Sequence, residues 1–460
     1  MKPWMLSELK DVLHCAIPVD AEITCVSTDT RDLPPGCLFV ALKGPRFDGH
    51  DFVEQAIAQG AVAAVTERQV GDCPCLIVPD TGKALLEIGS FYRSKFSPIM
   101  VGITGSVGKT TTKEMTAYVL ESTYETLKTQ GNLNNEIGLP KTLFALEEHH
   151  GAAVVEMGMS HFGEISRLSR AAKPTMGVIT NIGYSHIENL KTREGILQAK
   201  LEILDGMDAN APLIVNGDDS YLEPLKRELA PRPVITFGIN NAHADVRAVN
   251  ITQNANSAEF FIVTSTGRKY PVSLPCTGTH NILNALAAFC VGQCAEIAPR
   301  KICRALGKYK TVGLRQSITQ KGPYTVIADC YNASPDSMQA ALSVLRDYPC
   351  KGRRIAVLGD MLELGEMSRQ LHTLVGEMVA ESEVDSLFCY GPESFYLAQR
   401  AAMLGVSVFQ TEDADELCAA VKKYMRPGDT ILFKASRGMR LEDCISVIFE
   451  QEDTKHAVLD

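Results

Sequence analysis

Several things are missing from this chain, and each absence narrows it. No apolar run approaches the roughly 18 residues a membrane-spanning helix needs. The opening stretch MKPWMLSELKDVLHCAI carries Glu8, Lys10 and Asp11 where a signal peptide would stay apolar. A cytoplasmic protein without membrane insertion is expected. Basic excess is missing too: 45 Lys and Arg face 55 Asp and Glu, a formal net charge of −10 that argues against a nucleic-acid partner. A small anionic substrate needs only a few local cations and stays open. Cysteine is plentiful, at 14, but lacks metal or redox spacing: the one close pair, Cys73 and Cys75 around Pro74, fits neither a zinc knuckle nor a thioredoxin motif. Reduced, mostly buried thiols are expected. Internal repeats and low-complexity tracts are absent.

The 460 residues exceed a single core, and about 150 residues per domain gives about three. The most informative stretch is GITGSVGKTTTKE, Gly102 to Glu114, where an apolar strand over 99–103 hands over to a helix. Glycines at 102, 105 and 108 clear space for a polyphosphate to meet backbone N–H groups and a helix N-terminus. Gly105, Ser106, Val107 and Gly108 form the cradle, Lys109 reaches the terminal phosphates, and Thr110, followed by Thr111, offers a hydroxyl to phosphate-bound magnesium. Ile103 stands where the strict pattern has its first glycine, so this is a variant of the phosphate-binding loop.

Apolar runs over 152–157, 176–180, 212–216 and 234–237 alternate with helical patterns, which predicts a parallel sheet with ligand groups at its strand ends. Glu156 ends one run and Asn181 follows the next, with His186 close behind. An antiparallel pair over 258–264 and 269–274 precedes a helix bearing Asn281 and Asn284 on one face. Those amides suit an adenine ring; Thr279 as an N-cap with exposed amides suits them equally.

Before this region, strands over 38–41, 62–66 and 76–78 and a helix over 52–59 make a small α/β module. Its polar cluster of Ser27, Thr28, Asp29, Arg31, Lys43, Arg46, Asp48 and His50 suits a sugar or diphosphate, although each residue alone suits a solvated loop. After Thr311, strands over 324–328, 354–358, 386–390, 406–409 and 430–433 alternate with helices as a second doubly wound sheet. Asn332, Ser436 and Arg437 lie just past strand ends. The expected fold is α/β in three domains: an N-terminal module (1–98), a central parallel-sheet domain built on the phosphate-binding loop (99–311) and a Rossmann-like C-terminal domain (312–460). In the helical stretch 193–203, spacing makes Lys200 a surface cation paired with Glu202 or Asp205.

Four segments resemble the Mur ligases of peptidoglycan synthesis: the loop itself, GNLNNEIGLP (Gly131 to Pro140), VVEMGMSHFGEI with TNIGYSHIENL, and DCYNASPDSM (Asp329 to Met338). The second and fourth point to the branch that joins D-Ala-D-Ala to a UDP-N-acetylmuramoyl tripeptide through an acyl phosphate. Ser334 replaces the second Asn of the branch's usual N-A-N-P, and the D-N-P-R motif of the diaminopimelate-adding branch is missing. The resemblance implies ATP and magnesium as cofactors. It gives Lys109 the γ-phosphate, Thr110 and Glu156 a first magnesium, and Glu156, His186 and a carbamylated Lys200 a second. Asn281 and Asn284 would take adenine, Arg315 a phosphate and Asp329 the ribose. The Ser27 to His50 cluster would hold the UDP-sugar; Asn134, in GNLNNEIGLP, Asn332, Ser436 and Arg437 are further substrate candidates. A ligase adding a single amino acid, or a nucleotide-binding module without turnover, is the alternative. A monomer is expected, with its third domain closing on substrate.

Overall fold

The computed structural model describes residues 1–311 and 316–456. Among them, sheets of four, nine and six strands follow one another along the chain, accompanied by two short two-stranded ribbons. The four-stranded sheet, Cys25–Ser27, Cys37–Val40, Ala63–Thr66 and Cys75–Ile77, is parallel throughout. Its two middle strands are fully buried, as strands covered on both faces must be. The chain start is a 3-10 turn, Leu6–Leu9, running into one helical turn, Lys10–Leu13, with Leu6, Leu9 and Leu13 buried.

One expectation is corrected here. Twelve cysteines are free thiols, but Cys25 and Cys37 form a disulfide. They are register partners on adjacent parallel strands, with Cα atoms 4.5 Å apart, a juxtaposition that sequence spacing does not reveal.

The nine-stranded sheet is parallel over its first seven strands and antiparallel over the last three, Val246–Gln253, Ala258–Thr264 and Lys269–Leu274. The strand of the phosphate-binding loop, Ile99–Thr104, lies between Ala152–Glu156 and Met176–Ile179. Ile103 pairs with Glu156, and Thr104 with Ile179, so the three strands end at one level and release their following residues at a common edge. The crevice outside the carboxyl ends of such strands is where open α/β sheets bind ligands.

The six-stranded sheet runs Ser317–Lys321, Tyr324–Ala328, Thr430–Lys434, Arg354–Gly359, Ser386–Tyr390 and Ser407–Thr411, with only the first pair antiparallel. This C-terminal unit is docked against the central one. Gln316 presents its side-chain oxygen to Asn281 Nδ2 and His280 Nε2, each at 2.8 Å, and Asp336 Oδ2 accepts the Tyr184 N–H at 3.0 Å.

Candidate active site at the phosphate-binding loop

The loop is shaped by what surrounds it. Gly108, with φ +82°, caps the helix Lys109–Glu121, and a Cβ there would lie 2.7 Å from Asn284 Oδ1. Asn181 braces the turn from the neighbouring strand end: its Oδ1 accepts the Val107 N–H at 3.0 Å, and its Nδ2 donates to Val107 O at 3.1 Å. Lys109 Nζ arches back over the loop to Gly105 O at 2.7 Å and Ser106 O at 3.3 Å. The cation therefore stands at the loop mouth, where phosphate charge would concentrate.

Beside it, Glu156 is held from two directions. Thr110 Oγ1 donates to Glu156 Oε2 at 2.7 Å and Asn134 Nδ2 to Oε1 at 2.8 Å. The carboxylate is only 2% exposed. His186, with φ +62°, turns Nδ1 to within 2.6 Å of Glu363 Oε2 on the C-terminal unit, a close polar contact rather than an aligned hydrogen bond. That contact lowers the pKa of the Glu363 carboxyl, against the opposing effect of partial desolvation.

Lys200 is not the surface cation that helical spacing suggests. It is 2% exposed, and its two supposed partners are engaged elsewhere. Glu202 accepts the Gly163 and Ser166 N–H groups at the start of another helix, and Asp205 accepts from Ser166 Oγ at 2.5 Å. Burial, followed by repulsion from Lys109, pushes the Lys200 ammonium well below its ordinary pKa. Burial thus works against the charged form of this amine.

A cavity of about 420 Å³ opens between the two units. Its walls include Ser106, Val107, Gly108, Lys109, Thr111, Asn134, Glu156 and His186. Asn281 and Asn284 line it from the central unit, and Asp329 and Asn332 from the C-terminal one. The two helix amides have protein partners: Asn281 Nδ2 donates to Thr277 O at 2.8 Å and Thr112 Oγ1 donates to Asn284 Oδ1 at 3.1 Å. Thr279 is the first helical residue rather than the cap, which is Gly278. Arg315 lies outside the described residues.

Other candidates lie elsewhere. Ser436 accepts the Leu362 N–H and Arg437 pairs with Glu442, and neither belongs to the cavity wall. In the N-terminal unit Ser27 Oγ bonds Asp29 O, Asp29 pairs with Arg31, and Asp48 Oδ1 lies 2.5 Å from Nδ1 of buried His50. Hydrogen bonds from His50, backbone first and ring second, hold the Asp48 carboxyl down at about 2. Thr28 is half-buried and Lys43 exposed. This cluster is separate from the cavity, although Asp29 feels the charge of Lys141 across the boundary with the central unit.

Family models match in order along the chain: the Mur ligase family catalytic domain over 22–78, the Mur ligase middle domain over 103–292 and the Mur ligase glutamate ligase domain over 315–437. A Bacillus subtilis protein named UDP-N-acetylmuramoyl-tripeptide--D-alanyl-D-alanine ligase is 40% identical, over 92% of this chain and 93% of its own. The chain belongs to the Mur ligase family. An Escherichia coli relative of the same name is 37% identical over 97% of this chain and 98% of its own. Among solved structures, MurF from Acinetobacter baumannii superposes with a TM-score of 0.90 at 32% identity, over 98% of this chain and 99% of that one. The Thermotoga maritima MurF ligase in complex with ADP gives 0.84 at 29% identity, over 94% and 98%.

Within this Mur ligase, several cavity residues escaped the sequence reading. Lys434 is buried at the end of its strand, with Nζ 2.6 Å from Asp329 Oδ2 and 2.8 Å from Asn332 O. His280 is half-buried, with Nε2 2.8 Å from Gln316 Oε1, and desolvation lowers its pKa. The strand-end position of Lys434 was the one available signal; His280 and Gln316 become partners only through docking of the two units.

Proposed function

We propose that this Mur ligase joins the terminal carboxylate of a UDP-N-acetylmuramoyl tripeptide to the amine of D-Ala-D-Ala at the expense of ATP, the reaction for which its relatives are named. The observation that carries the reading is the cavity walled by the phosphate-binding loop on one side and the C-terminal unit on the other. A carboxylate cannot expel oxide, so it must first become an acyl phosphate. The γ-phosphoryl group passes to a carboxylate oxygen and ADP leaves; the deprotonated amine then attacks the acyl carbon, and inorganic phosphate departs with that oxygen. The approach of one anion to another is made tolerable by Lys109 and the N–H groups of the loop.

Thr110 and Glu156 place a hydroxyl and a carboxylate oxygen 2.7 Å apart beside the loop. This pair fits a small hard cation whose other positions are phosphate oxygens and water. Magnesium bound there would neutralise triphosphate charge. Glu156, His186 and Lys200 would serve a second ion, with Lys200 as a carbamate, and the neutral buried amine is the form able to take up carbon dioxide. Asn281 and Asn284 would face the adenine. Asp329, held by Lys434, would face the ribose, and Arg315 a phosphate. Asn332 would lie near the dipeptide, and Ser27, Thr28, Asp29, Arg31, Lys43, Asp48 and His50 would receive the UDP-sugar. The described walls of the cavity come from both units of one chain, which suits an active monomer.

Phosphate release from ATP with the UDP-tripeptide tests the substrate assignment. D-Ala-D-Ala should stimulate release well above D-Ala, lysine, diaminopimelate or glutamate; equal stimulation by all would overturn it.

A further inference from the structure

The segment from Asn181 to His186 is bonded on three sides, one of them within the central unit, where Ile182 N donates to Asp219 Oδ2 at 2.7 Å and Arg193 donates to Ile182 O. Toward the phosphate-binding loop, Ser106 N donates to Asn181 O at 3.1 Å, Gly183 N to Ser106 Oγ at 2.8 Å, and Ser185 Oγ to Ser106 O at 3.3 Å. Toward the C-terminal unit, Tyr184 N donates to Asp336 Oδ2 at 3.0 Å, and two residues later His186 meets Glu363. Asp336 sits in the first turn of the helix Pro335–Asp347, so it moves with the C-terminal unit. One short segment thus touches the phosphate loop, the docked unit and the histidine of the cavity wall.

The fit at its centre is specific. A Cβ on Gly183 would fall 2.6 Å from Asp336 Cγ and nearer still to Oδ2, and the three nearest atoms to that position all belong to Asp336. Gly183 has no positive φ, so the backbone tolerates a side chain there and only the carboxylate forbids it.

We propose that Asp336 is a positioning residue. Seated on Gly183, it holds the Asn181–His186 segment against Ser106, so that docking of the C-terminal unit and placement of His186 are a single event. The inference rests on the ligase reading above, in which His186 belongs to the catalytic centre. It gives closure a chemical consequence: with the C-terminal unit swung away, the segment loses its Tyr184 anchor and the loop loses a fixed neighbour. A hydrogen bond to a charged group carries enough energy to change the docked population about tenfold to a hundredfold.

The test is a double-mutant cycle with Gly183→Ala, Asp336→Ala and the pair, read by turnover and by small-angle scattering with and without a non-hydrolysable ATP analogue. Gly183→Ala should lose compaction and at least about tenfold in turnover, through steric exclusion of the carboxylate. Adding Asp336→Ala should restore it to the level of Asp336→Ala alone, since the clash has then gone. Additive losses, or wild-type closure and turnover in Asp336→Ala, would overturn the proposal. Should Gly183→Ala not fold, as a thermal melt would show, Asp336→Asn decides the matter. It retains an oxygen for Tyr184 N and should close better than Asp336→Ala; equal behaviour would also overturn it. Failure of the ligase reading is distinguishable, because it would appear in the wild-type protein as no release dependent on dipeptide.

Discussion

Asn134 and Glu156 are joined by a 2.8 Å hydrogen bond that leaves the second carboxylate oxygen facing Thr110. A side chain that fixes a metal-binding carboxylate typically governs metal affinity by about tenfold to a hundredfold. Asn134→Ala should therefore raise the magnesium concentration needed for half-maximal turnover by about that factor, with partial recovery in excess magnesium. Manganese binding followed by electron paramagnetic resonance supplies a readout independent of turnover. An unchanged metal titration would remove Asn134 from this role.

Lys200 separates stability from function. A buried amine with no carboxylate partner among the described residues costs stability, so Lys200→Met should melt no lower than the wild type and gain about 1 kcal/mol. Its turnover should nevertheless fall by at least about a hundredfold, as loss of a catalytic-centre group does. In Lys200→Ala a small carboxylate such as acetate should restore part of the activity. Labelling with carbon-13 bicarbonate should show a carbamate carbonyl in the wild type. Full activity of the variant, together with no such signal, would leave Lys200 as a purely structural residue.

Lys109→Ala should preserve the melting profile: Lys109 Nζ donates to Gly105 O and Ser106 O, backbone oxygens of its own loop. Turnover should fall by at least about a hundredfold through lost phosphate stabilisation. Normal turnover would show that the loop does not carry the triphosphate.

Asp48 makes the N-terminal unit sensitive to acid. Its folded pKa, about 2, lies below the unfolded 3.8, so its contribution is complete above the unfolded value and disappears as pH falls toward 2. The side chain is 24% exposed, and solvent screening reduces the contribution to about 1 kcal/mol. Asp48→Asn should lower the melting temperature at pH 6 and do so by only about half as much at pH 3. A constant difference between the two values would contradict the assignment.

Much of the scaffold was legible because apolar runs with clear ends pin strands. The expected 258–264, 269–274, 324–328 and 386–390 are the observed Ala258–Thr264, Lys269–Leu274, Tyr324–Ala328 and Ser386–Tyr390. Thr126–Lys128 was missed because three half-buried residues at a sheet edge carry no periodic signal, and Val246–Gln253 because it is interrupted by Asn250 at φ +53°. The loop was readable as a local motif. The interior position of Lys200 was not, since a charged residue among helical apolar positions looks like the polar face until tertiary packing encloses it. Gln316 with His280, and Gly183 with Asp336, are products of docking between distant parts of the chain. The N-terminal polar cluster was ambiguous for a different reason: short turns such as those around Asp29 and Asp48 use the same residue types as ligand sites.

The acyl-phosphate route is tested most directly by oxygen tracing. With oxygen-18 in the terminal carboxylate of the UDP-tripeptide, ATP and D-Ala-D-Ala, the inorganic phosphate should carry one labelled oxygen for each UDP-pentapeptide formed. Product formation with unlabelled phosphate would contradict carboxylate phosphorylation and the role assigned to the cavity.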